Sequence, residues 1–178
     1  MKKYLLVAVL LLSACTGMPE GVKPVQNFEL EPYLGTWYEI ARLDHRFERG
    51  LSNVTANYSL REDGGVRVVN RGFSANEGEW DEAEGKAFFI GEPSVGRLKV
   101  SFFGPFYGAY NVFELGENYD YSVVAGPDHS YLWILARQPR LPEELLNDLL
   151  AKVEAAGFDT SELIIVEHDQ ATGPSQER

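Results

Sequence analysis

The chain is poor in the residues from which metal and redox sites are built. It has one cysteine in 178 residues, Cys15, so an internal disulfide is excluded, as is a Cys-x-x-Cys pair. Its three histidines, His45, His129 and His168, lie in separate segments, and none is four residues from another, as zinc-binding helices require. The acidic residues between positions 77 and 84 do not follow the spacing of a calcium loop. We therefore expect no metal site and no cofactor.

Catalytic motifs and positive charge are also lacking. The chain contains neither a Gly-x-Ser-x-Gly elbow nor a glycine-rich phosphate loop. Sixteen lysines and arginines stand against 27 aspartates and glutamates, which gives a net charge of −11. Such a surface repels nucleic acid. The sequence favours a protein that is not an enzyme and does not bind nucleic acid.

No apolar run is long enough to span a membrane. The longest, from Leu5 to Leu12, follows Lys2 and Lys3 and falls well short of the roughly 20 residues that a spanning helix needs. It predicts a signal peptide over residues 1–14. The next segment, Leu12-Ser13-Ala14-Cys15, is similar to a bacterial lipobox, which implies that the Cys15 thiol is acylated and anchors the mature chain.

The residues after Cys15 determine how the anchored chain is arranged. Thr16 follows the cysteine in place of aspartate, which by analogy with lipoprotein sorting favours the outer membrane, with the domain facing the periplasm. Residues 15–27 are rich in glycine and proline and predict a lipidated tether that extends to about 45 Å at most. We expect one domain over residues 28–169 and a disordered polar tail over residues 170–178. Loss of Lys2 and Lys3 leaves 14 basic and 27 acidic residues, a net charge of −13.

Turn signals divide the next hundred residues into short segments of the length typical of antiparallel strands. They predict eight strands, near residues 37–43, 53–61, 66–73, 80–90, 97–103, 107–115, 121–125 and 131–137. Short connections favour an up-and-down arrangement that closes into an all-β barrel. Pro142 and Gly157 then bracket an α-helix with leucines on one face, which we expect to pack outside the barrel, and residues 163–166 predict a last short strand.

A glycine and a tryptophan begin the first predicted strand, and an arginine ends the eighth. Gly35 permits a tight turn, which allows the Trp37 indole to lie under the sheet. The planar guanidinium of Arg137 can stack on that indole and bind nearby carbonyl groups. These three residues predict a closure of one end of the barrel.

Three sequence blocks in this order resemble the lipocalin family, and within it the bacterial outer-membrane lipoproteins of the Blc type. The blocks are Gly35-Thr36-Trp37 with its continuation to Gly50, Ser101 to Gly108, and Tyr131 to Arg137. The middle lipocalin motif is similar to Tyr119-Asp120-Tyr121, with its first position altered. The resemblance covers nearly all of the mature chain and implies an eight-stranded antiparallel lipocalin barrel.

This resemblance implies a protein that stores or transports fatty acids or lysophospholipids for envelope maintenance, including under stress. Strand alternation favours ligand contacts at Tyr107, Trp133, Tyr58, Phe102 and Asn111. On the strand after Gly104-Pro105, we prefer the face of Tyr107 and Asn111 as the inward one because it carries polar groups between apolar ones. His45, Arg46 and Arg49 could meet a phosphate at the barrel opening, or belong to a solvated loop.

Two other functions stay open. One is an interaction module with a filled barrel, in which an outward patch of Phe103, Phe106 and Tyr110 mediates homodimerisation or docking. The other is an enzyme for a hydrophobic substrate that uses Glu39 or an inward tyrosine as acid or base. A filled interior favours the first, and a cavity-facing carboxylate with a strongly shifted pKa favours the second.

Overall fold

Eight antiparallel strands form a closed barrel in the computed structural model, which describes residues 16–169. The strands are β1 (Gly35–Leu43), β2 (Leu51–Leu60), β3 (Val66–Ser74), β4 (Glu79–Phe89), β5 (Arg97–Phe103), β6 (Phe106–Leu115), β7 (Tyr121–Ala125) and β8 (Leu132–Ala136). Each pairs with the next along the chain, and β1 pairs with both β8 and β2. A ninth strand, β9 (Leu163–Ile165), pairs with the end of β1. The predicted up-and-down barrel is confirmed, and its strand boundaries agree within two residues.

Antiparallel order assigns the connections to alternate ends of the barrel. One end, which we call the mouth, carries the connections 44–50, 75–78, 104–105 and 126–131. The other, which we call the closed end, carries the connections 61–65, 90–96 and 116–120. A one-turn helix that the sequence did not reveal, α1 (Leu30–Tyr33), precedes β1 at this end.

Two apolar cores lie on the two faces of the barrel wall. The interior core includes Trp37, Tyr58, Leu98 and Val124, all buried. The second core lies between the outer face of β1, β7 and β8 and the helix α2 (Glu143–Ala155). Helix α2 buries Leu149 and Val153 there. This arrangement confirms the helix predicted outside the barrel.

Pro142 and Gly157 bracket α2 as the sequence predicts. Pro142 is the residue before the first helical turn, where its missing N–H group breaks no helical hydrogen bond. Gly157 follows the helix with a φ of 94°, a conformation that glycine adopts without steric cost.

Residues 16–28, which we call the N-terminal strap, begin on the outer wall of the barrel, where Val22 is buried in the second core, and end at the closed end, where Phe28 is buried in the interior core. The Val25 N–H donates to the Val112 carbonyl over 2.9 Å, and the Gly96 N–H donates to the Val25 carbonyl over 2.9 Å. A Cβ at Gly96 would lie 2.7 Å from the Val25 side chain, so glycine is needed where the strap crosses. The prediction of an extended tether is therefore wrong for residues 16–27, because these residues are bound to the barrel.

The predicted signal peptide, the predicted anchor Cys15 and the predicted tail over residues 170–178 lie outside the described residues. Within residues 16–169, no helix combines the length and the apolar character needed to cross a bilayer.

Candidate ligand site inside the barrel

Gly35, Trp37 and Arg137 lie together at the closed end. Gly35 has a φ of 91°, which turns the chain from α1 into β1. The Trp37 ring is fully buried, and its Nε1–H donates to the Tyr33 carbonyl over 2.8 Å. The Arg137 guanidinium carbon lies 3.8 Å from the centre of the indole ring. The arrangement closes this end of the barrel with an aromatic ring under a cation.

Arg137 joins α1 to the start of β1 through backbone carbonyl groups. Its Nη2 donates to the Pro32 and Leu34 carbonyls over 2.7 and 2.9 Å, and its Nη1 donates to that of Thr36 over 2.8 Å. Its Nε donates to the Tyr119 carbonyl over 3.2 Å. A planar donor set of this kind holds three chain segments at once.

A small apolar cavity lies in the interior core above this closure. Its volume is about 30 Å³. The residues that line it are Leu30, Tyr33, Tyr58, Val66, Val68, Ala87, Leu98, Val100 and Tyr110. They come from α1 and from β2 to β6, so the cavity belongs to the barrel interior.

Three cavity-lining tyrosines and one serine form a buried hydroxyl chain. The Tyr33 hydroxyl lies 2.7 Å from that of Tyr110 and 2.9 Å from Ser122 Oγ. The Tyr58 hydroxyl lies 2.9 Å from that of Tyr110. Burial raises the pKa of Tyr33 to about 12 and also raises the pKa values of Tyr58 and Tyr110. All three phenols are therefore neutral at physiological pH.

A bulge in β1 turns two charged side chains toward the barrel interior. Pairing with β8 shifts between Glu39 and Ala41, so that Glu39 pairs with Leu135 and Arg42 pairs with Trp133. Leu135 and Trp133 both belong to the interior core. Arg42 Nη1 donates to Glu39 Oε1 over 2.7 Å, and both side chains are buried.

The connection 44–50 closes over this ion pair. Arg42 Nη2 donates to the carbonyls of Glu48 and Leu51 over 2.8 and 3.1 Å. The Trp133 Nε1–H donates to Glu48 Oε2 over 3.0 Å. His45 Nε2 lies 2.9 Å from the same oxygen, close enough for an ion pair but outside hydrogen-bond angles. We call these contacts the mouth latch.

The two carboxylates of the mouth latch differ in pKa. Burial raises the pKa of Glu39 well above its usual range, and the nearby Glu48 charge adds to the effect, against the opposing charge of Arg42. Burial also opposes the ionisation of Glu48, but contacts with His45 and Trp133 outweigh it and lower the pKa of Glu48. The surroundings of the latch therefore shift the pKa values of its two carboxyl groups in opposite directions.

The structure brings three of the five predicted ligand contacts into the barrel interior. Tyr58 lines the cavity, and Phe102 and Trp133 pack in the interior core. Among described side chains, Phe102 also lies within 3 Å of a Cβ built at Gly85, which shows how little free space surrounds it.

The predicted inward positions of Tyr107 and Asn111 are wrong. Cavity-lining Leu98 pairs with Tyr110, so Tyr110 faces the interior and its odd-numbered neighbours face outward. Lys99 Nζ lies 4.9 Å from the centre of the Tyr107 ring on that outer face. Asn111 Nδ2 donates to the Gly17 carbonyl over 3.2 Å and to the Gly126 carbonyl over 3.1 Å, so Asn111 holds the strap.

Sequence reasoning missed Tyr33, Tyr110 and Arg42 as interior residues. Tyr33 lies in an unpredicted helix, Tyr110 lies on the face taken as outward, and Arg42 reaches the interior through a bulge. Of these three residues, only Tyr33 could have been identified from the sequence, because it lies two residues before Gly35 and therefore at the closed end. Within residues 16–169, no three metal-ligating side chains come together.

A family model described as a lipocalin-like domain matches residues 28–168. The chain belongs to the lipocalin family. It is 56% identical over 165 residues to the outer membrane lipoprotein Blc of Vibrio cholerae serotype O1, across 92% of this chain and 96% of that one. It is 53% identical to the protein of the same name from Escherichia coli K12, across 90% and 92% of the two chains. The predicted family and the predicted outer-membrane, lipid-anchored location are both confirmed.

Solved structures agree with the fold. Insecticyanin from the tobacco hornworm Manduca sexta superposes with a TM-score of 0.70 and 23% identity, covering 86% of this chain and 88% of that one. At this identity the likeness concerns the fold alone. Lipocalins are generally proteins that bind small hydrophobic molecules.

Proposed function

We propose that this lipocalin binds single-chain lipids, either fatty acids or lysophospholipids, and stores or transports them for maintenance of the cell envelope, including under stress. The observation that carries the proposal is the apolar cavity inside a barrel that is closed at one end. An acyl chain would enter from the mouth and lie against Tyr58, Phe102 and Trp133. Anchoring through Cys15 would place this container at the periplasmic face of the outer membrane.

Ligand binding requires the interior to expand. A cavity of about 30 Å³ is far below the roughly 300–1,000 Å³ of typical ligand sites. We therefore propose that the connection 44–50 lifts and that partly buried Phe102 and Trp133 move as an acyl chain enters. Burial of each methylene contributes about 0.8 kcal/mol, so ten of them contribute about 8 kcal/mol toward the cost of opening.

The mouth offers cations for an anionic lipid head group. Arg46 and Arg49 are exposed on the connection 44–50, and Arg49 Nη2 lies 2.8 Å from Asp44 Oδ2. His45, the third residue considered for this role, is buried against Glu48. The head group would therefore contact Arg46 and Arg49 once the connection has moved.

A matched pair of substitutions on β3 tests the site. Val68 lines the cavity, whereas Val69 pairs with Asn57 and Glu84 on the outer face of the wall. Val68→Phe should weaken binding of palmitate and lysophosphatidylcholine at least about tenfold, because the larger ring occupies the space that the chain needs. Val69→Phe should bind as the native protein does.

The measurement is a titration followed by tryptophan fluorescence and calorimetry, with thermal unfolding as a check on folding. Equal affinity in the folded Val68→Phe variant, or no binding by the native protein, would contradict the proposal.

A filled barrel that acts as an interaction module is the second candidate. The small cavity favours it, as do Phe103 and Phe106, which are 70% and 76% exposed. Tyr110 does not belong to the predicted outward patch, because it lines the interior cavity and its hydroxyl is bonded to those of Tyr33 and Tyr58. Homodimerisation through the two phenylalanines would appear in sedimentation as a dimer that the pair of changes Phe103→Ser and Phe106→Ser dissociates.

We propose no catalytic role for Glu39. Its raised pKa is the property that the enzymatic alternative requires. However, its carboxylate contacts Arg42 within the mouth latch, and Glu39 is not among the residues that line the cavity.

A further inference from the structure

We infer that Arg42 and Trp133 form an inner anion site, which takes the head group of a single-chain lipid in place of the Glu48 carboxylate. The inference rests on the proposed function, because it concerns how the head group of that lipid is bound. The group that fits is an oxyanion with a single negative charge, either the carboxylate of a fatty acid or the phosphate of a lysophospholipid. Glu48 is the internal substitute for it while the connection 44–50 is closed.

The two residues of the inner anion site belong to the barrel wall, whereas Glu48 belongs to the connection. Arg42 in β1 pairs directly with Trp133 in β8, and both side chains are on the interior side. Glu48 lies in the connection 44–50, which has to lift in the proposed entry of a lipid. Lifting would carry Glu48 away and leave Arg42 and Trp133 in place. The exposed arginines of the connection, Arg46 and Arg49, would move with Glu48.

Glu48 shows that this part of the mouth accommodates a buried carboxylate. The Trp133 Nε1–H donates to Glu48 Oε2 over 3.0 Å, and His45 Nε2 lies 2.9 Å from the same oxygen. Burial opposes the ionisation of Glu48, but contacts with His45 and Trp133 and the charge of Arg42 lower its pKa. The surroundings therefore favour a negatively charged oxyanion over a neutral group.

The Arg42 guanidinium has donors for an oxyanion besides Glu39. Its Nη1 is bound to Glu39 Oε1, and its Nη2 donates to the carbonyls of Glu48 and Leu51. Among residues 16–169, the buried Nε of Arg42 has no hydrogen-bond partner, which is rare for a buried donor. Lifting the connection would also free Nη2 from these carbonyls. Nε and Nη2 form one edge of the guanidinium, and such an edge binds a carboxylate or a phosphate through two parallel hydrogen bonds.

Replacement of one anion by another preserves the charge of the inner anion site. When Glu48 leaves, the buried Arg42 cation loses a nearby negative charge, and the Trp133 N–H loses its acceptor. A lipid carboxylate or phosphate supplies both, whereas the head group of a neutral glyceride supplies no charge. We therefore expect the barrel to prefer anionic lipids over a neutral lipid with the same acyl chain.

Calorimetric titrations with palmitate, lysophosphatidylcholine and monopalmitoylglycerol test this preference. All three lipids require the connection to lift, so the ratio of two affinities does not depend on the cost of opening. The native protein should bind palmitate roughly tenfold more tightly than monopalmitoylglycerol, because hydrogen bonds to a charged group are the stronger ones. Trp133→Phe keeps a ring but removes the N–H donor, and should lower this ratio several-fold. Trp80→Phe is the matched control, since Trp80 contacts Phe73 and Arg71 instead.

A second pair of variants tests the competition with Glu48. Glu48→Gln should bind palmitate several-fold more tightly than the native protein, because no internal carboxylate then holds the site. Glu117→Gln, at an exposed position in the connection 116–120, should bind as the native protein does. Thermal unfolding checks that the variants are folded. Unchanged or weaker palmitate binding by folded Glu48→Gln would overturn the competition.

Proton–nitrogen correlation spectra observe the Trp133 donor directly. The chain has three tryptophans and therefore three indole N–H signals, and Trp133→Phe identifies the one from Trp133. With palmitate bound, this signal should stay at the low-field position of an indole bound to a carboxylate. With saturating monopalmitoylglycerol, it should move to higher field. The same response to both lipids would overturn the inference.

The titrations also separate the two sources of the anion and the two proposals. A fall in the palmitate ratio identifies a carboxylate as the occupant, and a fall in the corresponding ratio for lysophosphatidylcholine identifies a phosphate. Equal affinities of the native protein for palmitate, lysophosphatidylcholine and monopalmitoylglycerol, or unchanged ratios for both anionic lipids in Trp133→Phe, would overturn the inner anion site and leave the lipid carrier standing. No binding of any of the three lipids would overturn both.

Discussion

Arg137 is a cation without a carboxylate partner among the contacts that hold it. Its guanidinium donates four hydrogen bonds to backbone carbonyls and stacks on Trp37. Partial burial lowers the pKa of Arg137, and the carbonyl dipoles and the indole face compensate for the water it has lost. A lysine cannot replace Arg137, because its ammonium group is not planar and lacks the several N–H donors that a guanidinium holds in a fixed geometry.

Arg137→Lys should lower the free energy of unfolding by about 2 kcal/mol, because a lysine cannot bind all four backbone carbonyls and stack on Trp37 at the same time. Arg140→Lys is the control, since Arg140 is exposed three residues further along the chain. Urea unfolding of the two variants measures the difference. Equal stabilities would show that the stacked guanidinium does not hold the closed end together.

The hydroxyl chain makes stability depend on pH in the alkaline range. The pKa of Tyr33 is about 12 in the folded protein against an ordinary value of 10.0. The unfolded chain therefore loses this proton first, and the stability that Tyr33 contributes is complete below pH 10 and falls as the pH rises toward 12. The two-unit difference corresponds to about 3 kcal/mol.

Urea unfolding of the native protein and Tyr33→Phe between about pH 9 and pH 12 checks this. The native protein should lose stability more steeply than the variant, with Tyr107→Phe, on the outer face, as the control. The same pH dependence in all three proteins would be inconsistent with a buried phenol chain.

Residue by residue, the sequence predicted the closed end better than the interior. Local chemistry was enough to predict the roles of Gly35, Trp37 and Arg137 at the closed end. A tight turn, an indole and a stacking cation can be recognised without knowing how the strands pair. The inward face of β6 needed the pairing of Leu98 with Tyr110, which is fixed across a hairpin with a shifted register. Tyr107 and Asn111 were favoured because their face carries polar groups between apolar ones. That criterion does not determine the strand register.

At the scale of elements, the connection 44–50 is a candidate lid. It is held by Arg42 through two carbonyls and by Trp133 through Glu48. The Leu51 N–H returns a bond of 3.0 Å to the Glu48 carbonyl. Two of these contacts involve the buried Arg42 cation, and all of them would have to break in the opening that we propose.

Arg42→Leu should destabilise the protein by about 3 kcal/mol or more, because two buried carboxyl groups lose their cation. It should also speed amide hydrogen exchange across residues 44–51 more than in the barrel strands. Arg49→Leu removes an exposed ion pair in the same connection and should cost less than about 1 kcal/mol. Unchanged exchange in the Arg42 variant would mean that other contacts hold the lid.

The strands and α2 were predictable as elements, because turn residues and a leucine face determine them locally. The strap and α1 were not, because residues 16–34 have little apolar periodicity and their positions depend on groups far along the chain, such as Asn111 and Arg137. The β1 bulge hides Arg42 for a similar reason. Strict alternation would place Glu39 and Arg42 on opposite faces, whereas the bulge brings both inside.

At the scale of the molecule, the sequence predicted a container but not its capacity. Eight strands and a closed end follow from turn signals and three motif residues. The free volume inside the barrel depends on how Phe102, Tyr110 and the mouth latch pack together. Strand periodicity does not indicate this packing, so the cavity volume of about 30 Å³ could not be predicted from the sequence. The central claim is that this interior opens for an acyl chain.

Native mass spectrometry of the gently purified native protein, with Val68→Phe and Val69→Phe alongside, tests that claim most directly. We expect the native protein and Val69→Phe to carry the added mass of one fatty acid or lysophospholipid, identified by extraction, and Val68→Phe to be empty. If all three are empty and stay empty after incubation with both lipids, the barrel is not a lipid carrier.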